Sequence, residues 1–302
     1  MFRLFTRTFP IPSLLLAMTC IAVAQSVQDF AALKAKAESG DSTAQCELGQ
    51  KYEMGIGVPI DFVQAAFWLR RAAEQGNADA QGPLGVLYLN GRGVPRDHAK
   101  ALFWLHKAAE QGVEGAQINL AMMYSEGEGV PKDYTQAAFW YRKAAEQGNV
   151  DAEYNLAVQL MNGKGVSKDY VQAAFWFRKA AEKGDSGAES FLGTLYGEGV
   201  GVPQDYALAA DWLKKGALQG EAEAQLNLGV LYAQGHGVPQ DYAEAYFWFD
   251  LAAAGRLDSA KVKAAVSMRE ETALHLTPTD LSHEQERARR WFEDHAAKTP
   301  AQ

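Results

Sequence analysis

The sequence predicts an all-α protein: a right-handed α/α solenoid (superhelix) of six 36-residue helix pairs, closed by N- and C-terminal capping helices. Three observations predict it. A Gly-x-Gly-Val loop begins at Gly55, Gly91, Gly127, Gly163, Gly199 and Gly235. An aspartate follows each loop, at Asp61, Asp97, Asp133, Asp169, Asp205 and Asp241. A tryptophan completes each module, at Trp68, Trp104, Trp140, Trp176, Trp212 and Trp248, with no insertion between modules. A period of this size signals stacked repeats. One module cannot cover its own apolar face, so its neighbours must.

Each module reads as two helices. In the third, Ala116, Leu120 and Tyr124 stand at i, i+4 and i+8, one stripe of a first helix. Ala137, Trp140, Ala144 and Ala145 share one face of the second. In the loop between them, Gly127 suits a left-handed helix end, Gly129 permits close packing and Val130 is expected to tuck inward. Pro131 stops helix continuation, and Asp133 is placed to cap the second helix. Gly82-Pro83 falls inside the first helix of module two. At about 1 and 3 kcal/mol relative to alanine, that pair predicts a shortened or bent helix.

The ends depart from the pattern. A lone helix over 27–39 closes the N-terminal side. After Trp248 the stripe continues weakly through Ala260, Ala264 and Met268, giving a helix over about 257–274. Thr277-Pro278-Thr279-Asp280 reads as a helix start. The last helix is expected over 278 to about 297, burying Leu281, Ala288, Trp291 and Phe292. The resulting division is a cleaved leader at 1–24, a capping helix within 25–40, six repeats over 41–256, and capping helices with a frayed tail over 257–302.

With 302 residues, 48% apolar and 22% charged, the chain has ample material for a core and is not compositionally disordered. Its formal charge of −8 argues against non-specific nucleic-acid binding, which needs a basic surface. Arg3 and Arg7 precede an apolar run over 14–24 that is too short to span a bilayer, and Ala22-Val23-Ala24 supplies a small-x-small cleavage site before Gln25. The expectation is an exported, periplasmic protein without stable membrane insertion after leader cleavage. A lipoprotein cleaved before Cys20 is the alternative, although Ala17-Met18-Thr19 lack its usual residues. Cys46 then remains as the single mature cysteine, so no internal disulfide is possible.

Chemistry-like strings dissolve on alignment. Gly-Asp-Ser-Gly at 184–187 resembles a protease nucleophile box, but Gly184 is the inter-module glycine and Ser186 stands where the preceding module has Val150. No strand precedes any Gly-x-Gly loop, so the dinucleotide context is missing. His98, His106, His236, His275, His283 and His295 form no i, i+4 pair and no ligand motif, and His236 occupies a variable loop position expected to be exposed. No catalytic residue, metal site or cofactor is expected.

The module resembles the Sel1-like repeat, a relative of the tetratricopeptide repeat. Ala116, Leu120, Ala121, Tyr124, Gly127, Gly129, Val130, Asp133, Ala137, Trp140, Lys143, Ala144, Ala145 and Gly148 carry the resemblance, which extends over about 40–260. Ala121 and Ala157 stand for the usual glycine, Leu160 for tyrosine and Ser167 for proline. The resemblance implies a protein-binding adaptor, and bacterial members are often exported. Cysteine-rich exported members are linked to penicillin binding or β-lactam hydrolysis, but their cysteine pairs are missing here, as are S-x-x-K, S-D-N and K-T-G.

A groove is the better candidate site. Stacked helix pairs place their first helices on a concave side. Glu47, Pro83, Asn119, Asn155, Phe191 and Asn227 form one variable column there. In tetratricopeptide relatives an asparagine at the matching place contacts bound peptide, and its amide offers both donor and acceptor. Asn119, Asn155, Asn227, Glu47 and Phe191 are therefore the candidate partner-binding residues, with solvation of the helix or bonding to a neighbouring helix as the competing role. The adjacent column of Gln50, Val86, Met122, Val158, Thr194 and Val230 fits either core or groove floor. The expected function is a non-enzymatic scaffold or adaptor of the bacterial envelope that binds a protein or peptide segment. A secreted host-directed binder and a cell-wall or β-lactam hydrolase are the alternatives.

Overall fold

The computed structural model describes residues 28–296, and all of their regular structure is helical. The leader and the final residues of the tail lie outside the described residues. Helix α1 spans 28–38. Six pairs follow: α2 (Ser42–Met54) with α3 (Phe62–Glu74), α4 (Ala78–Asn90) with α5 (His98–Glu110), α6 (Glu114–Glu126) with α7 (Tyr134–Glu146), α8 (Val150–Asn162) with α9 (Tyr170–Glu182), α10 (Ser186–Glu198) with α11 (Tyr206–Leu218), and α12 (Ala222–Gln234) with α13 (Tyr242–Ala254). Helices α14 (Ser259–Ala273) and α15 (Pro278–Ala296) close the chain. The α/α solenoid class read from the repeat is borne out.

The chain divides into two compact units at Lys132/Asp133, inside the loop of the third repeat. In the first, α2, α3, α4, α5 and α6 pack consecutively, and the first helix α4 also touches α2 and α6. In the second, α7 to α14 pack consecutively, α10 touches α12, and α15 lies on α13.

Local chemistry sets the helix lengths. Every helix of the six pairs has 13 residues. Each first helix ends at the loop's leading glycine in the left-handed conformation, as at Gly91 with φ 67°. The loop aspartate then caps the second helix. Asp133 accepts from the Thr135 and Gln136 amides at 2.9 and 3.0 Å.

The core repeats with the sequence. Leu48, Leu84, Leu120, Leu156, Leu192 and Leu228 are fully buried, each contributing about 1.5–3 kcal/mol. Leu69, Leu105, Phe177 and Phe249 fill the matching place on second helices. Trp68, Trp140 and Trp248 are buried, and Trp104, Trp176 and Trp212 are half-buried. Val130 is half-buried rather than tucked fully inside. A buried glutamine joins successive elements. The Gln81 amide donates to the Ala73 carbonyl at 3.2 Å, and its oxygen accepts from Gln111 Nε2 at 2.7 Å. Gln45 repeats both bonds, and Gln225 repeats the first.

Three expectations need correction. Helix α4 is not shortened by Gly82-Pro83 and keeps its 13 residues. Proline removes one helical N–H, whose partner would be the first-turn Asp79 carbonyl, and the burial of Leu84, Leu87 and Tyr88 outweighs that loss. In α14 the buried positions are Ala265 and Thr272, not Ala264 and Met268. The turn after α13 is one residue longer than its counterparts, and Asp258 caps the helix by accepting from Ala260 and Lys261 amides, so the stripe moves by one. In α15 Ala288 is buried, but Leu281, Trp291 and Phe292 are only half-buried and Glu284 is buried instead. Glu284 is paired with Arg287 at 3.1 Å, which offsets its desolvation.

Helix α15 also explains how the repeat pattern ends. In earlier repeats Phe67, Phe103, Phe139 and Phe175 are exposed, each beneath a cation four residues on, such as Lys107 at 5.1 Å from the Phe103 ring. In repeat six that cation is replaced by buried Leu251. Arg287 of α15 supplies the charge instead, 3.8 Å over the buried Phe247 ring, and pairs with Glu244 at 2.7 Å.

Candidate functional site

The first helices carry the candidate residues in their second turn, as with Glu47 after the N-cap Asp41 and Asn119 after Val113. Glu47 is exposed and pairs with Lys51 at 3.6 Å. Pro83 is half-buried in α4. Asn119 and Asn155 are half-buried, and each donates its amide to a carbonyl of its own helix, Gly115 at 2.7 Å and Asp151 at 2.8 Å. Asn227 instead donates to Thr194 Oγ1 of the preceding repeat at 3.1 Å. Phe191 stacks on Phe177 at 4.9 Å between ring centroids and leans on Tyr154. It is a wall of an aromatic cluster more than a free side chain. Glu47, Pro83 and Asn119 fall in the first unit, and Asn155, Phe191 and Asn227 in the second.

The neighbouring column is not fully buried core in either unit. Gln50, Val86, Val158, Thr194 and Val230 are half-buried, and Met122 is 45% exposed. In the first unit Gln50 and Val86 line a cavity of about 570 Å³ between α2, α4 and α6. Its wall also includes Cys46, Glu47, Glu53, Asp79, Gly82, Pro83, Val113, Gly115 and Asn119. In the second unit Thr194, Asn227 and Val230 line a smaller one of about 230 Å³.

The electrostatics of the larger cavity follow from burial and acids. Desolvation raises the Glu53 carboxyl above its usual range against the attraction of Arg92. Cys46 is pushed up to about 11, first by burial and then by the charges of Asp79 and Glu47. Its thiol is therefore protonated at neutral pH and is no nucleophile. Among the described residues no three His, Cys, Asp or Glu side chains are grouped to hold a metal ion. Among them too, no helix is long and apolar enough to cross a membrane. Ser186 opens α10 directly after the Gly184 turn, as the alignment of repeats requires. His236 is exposed and stacks on Tyr206 at 4.6 Å.

Sequence reasoning missed Cys46, Glu53, Asp79, Gly82, Val113 and Gly115 as members of one wall. The available signal was Gly82-Pro83, which reads as a helix fault when taken along the chain and as missing bulk when taken across repeats.

A family model described as the Sel1 repeat matches residues 42–77, 78–113, 115–149, 150–185, 186–221 and 222–256. No curated protein matches the chain. Among solved structures, a protective antigen present in uropathogenic Escherichia coli strains, displaying an SLR fold, is 33% identical with a TM-score of 0.68. That match covers 89% of this chain and 72% of the other. A Sel1 repeat protein from Oxalobacter formigenes is 32% identical with a TM-score of 0.60, covering 78% of this chain and 96% of the other.

Proposed function

Because the chain belongs to the Sel1 repeat family, a family of protein-interaction scaffolds, we propose that it is a non-enzymatic adaptor of the bacterial envelope. It is exported to the periplasm and holds an extended segment of a partner protein along the face of its first helices. The half-exposed floor column beside the asparagines carries this reading. Fully packed repeats would bury that column, whereas here it lies open next to amide side chains. Asn119 and Asn155 each place one Nδ2 bond on their own helix, which leaves Oδ1 and the second Nδ2 hydrogen to offer a peptide. Asn227 is tied to Thr194 and serves the same column from a fixed position.

The test is the triple variant Asn119→Ala, Asn155→Ala, Asn227→Ala. Its capture of an envelope partner should weaken at least about tenfold, while unfolding changes by less than about 1 kcal/mol, as for partly exposed polar substitutions. A loss of several kcal/mol would make the three residues structural and remove this reading of the face. A second reading is export beyond the envelope as a host-directed binder. It is favoured by the likeness to the protective antigen of uropathogenic Escherichia coli. Fractionation into periplasm and medium separates the two.

A further inference from the structure

Repeat four departs from its counterparts inside the core. Its first helix, α8, packs against α7 and α9 of the second unit. Gln159 stands where repeats two, three, five and six carry Leu87, Met123, Leu195 and Leu231. It is buried as they are, at 6% exposure, and its Oε1 has no protein partner. The next residue, Leu160, stands where those repeats carry tyrosine. In repeats two and five that tyrosine ties the helix to the preceding one: Arg70 donates to the Tyr88 hydroxyl at 2.6 Å, and Arg178 donates to that of Tyr196. Arg142 holds the matching place before α8, half-buried, and Leu160 gives it no hydroxyl.

Two more departures fall on the same helix. Glu153 takes the place of Gln81, Gln117 and Gln225, whose amides donate to a carbonyl of the preceding second helix. A carboxylate has no hydrogen to give there. Glu153 is 1% exposed, pairs with Lys183 through Oε1 at 2.7 Å, and leaves Oε2 without a protein partner. Ala157 adds a methyl where Gly85 and Gly193 have none, at a place where a Cβ would stand 2.7 and 2.6 Å from the facing Leu105 and Leu213. A buried polar atom without a partner keeps its full desolvation cost, and a glutamine at a leucine place also forfeits apolar burial. In a repeat array each module is held only by its neighbours, so faults collected on one helix are not shared out over a common core.

We propose that α8 is a yielding joint, a helix that opens locally before the rest of its unit unfolds. Asn155 is carried on it, so repeat four presents that amide only while the joint is closed. The opening itself does not depend on the scaffold reading of Asn155.

Hydrogen exchange of the full chain, followed by mass spectrometry and corrected for intrinsic rates, tests this. Amides of α8 should exchange at least about tenfold faster than those of α10 and α12, the scale of one unsatisfied buried group. Gln159→Leu with Leu160→Tyr rewrites the place in the pattern of repeat five and should slow exchange in α8 at least about tenfold. Glu153→Gln with Lys183→Gln, which copies the Gln81 and Gln111 pair, should slow it in the same direction. Thermal unfolding checks that both double variants fold, and if one does not, the other and the wild-type comparison decide. Exchange in α8 at the rate of α10 and α12 overturns the inference, as does an unchanged α8 rate in the folded repaired variants.

Discussion

Gly57 and Gly93 occupy the same place in successive loops and meet different surroundings. Both have positive φ, 75° and 69°. A Cβ at Gly57 would meet nothing within 4 Å, whereas at Gly93 it would stand 2.0 Å from the Phe62 carbonyl oxygen of the preceding repeat. The second glycine of the loop is thus there for the neighbour as well as for the turn. Gly57→Ala should cost about 1–2 kcal/mol for the left-handed backbone, and Gly93→Ala about 2 kcal/mol more for the displaced neighbour. Urea unfolding of both variants checks the difference. The glutamine position gives a pH effect at the same scale. Glu189 stands where Gln81 and Gln225 donate to the carbonyl of a preceding helix, and burial raises its carboxyl above the usual range. Gln219 donates to it and Lys215 attracts its charge, while Asp185 repels it. A folded-state pKa above the unfolded one means the folded protein holds the proton longer. Stability is therefore lost as pH rises from the ordinary glutamate range through the raised value. Glu189→Gln restores the donor and should remove that loss, so the variant gains on wild type with increasing pH. Thermal unfolding between mildly acidic and neutral pH reads this, and parallel curves would refute it.

At the scale of elements, a helix survives or shifts according to what it packs against. Pro83 breaks one backbone bond in α4, but the buried Leu84 and Leu87 that follow it keep the helix whole. The longer turn before α14 moves its buried face by one residue, a change the letters do not announce because Ala264 and Ala265 are both alanine. Helix α15 stands in for a seventh repeat by bringing Arg287 to Phe247, Glu244 and buried Glu284. Arg287→Ala should destabilise by about 1.5–3 kcal/mol, since it leaves Glu284 buried without its cation. Arg289→Ala, which removes only the exposed pairs with Glu286 and Glu293, should cost little. Equal effects of the two substitutions in denaturant unfolding would contradict the capping role of Arg287.

For the whole molecule, six near-identical modules make a family scaffold, and what distinguishes this member is where modules differ. Repeats one to three open a cavity lined by acids, and repeat six changes its exposed phenylalanine site into a docking place for its own α15. Export belongs to this scale because it concerns the chain as a unit. The Arg3, Arg7 and Ala22-Val23-Ala24 pattern predicts a mature protein that starts at Gln25 without lipid. Intact-mass and N-terminal measurement of the exported form tests it, and an acylated start at Cys20 would redirect the protein to a membrane surface.

The sequence by itself determined the repeat, the helix pairs, the glycine and aspartate caps and the leucine and tryptophan positions. Each of these is set by contacts within one module or with an identical neighbour, so periodicity carries them. Tertiary structure alone decided that the column with Met122 stays partly exposed, that Gly82 marks a hollow and not a broken helix, and that Glu284 is a buried residue of α15. Those outcomes depend on side chains from different modules meeting in space, and on which of them is absent, which no single stretch of the chain records.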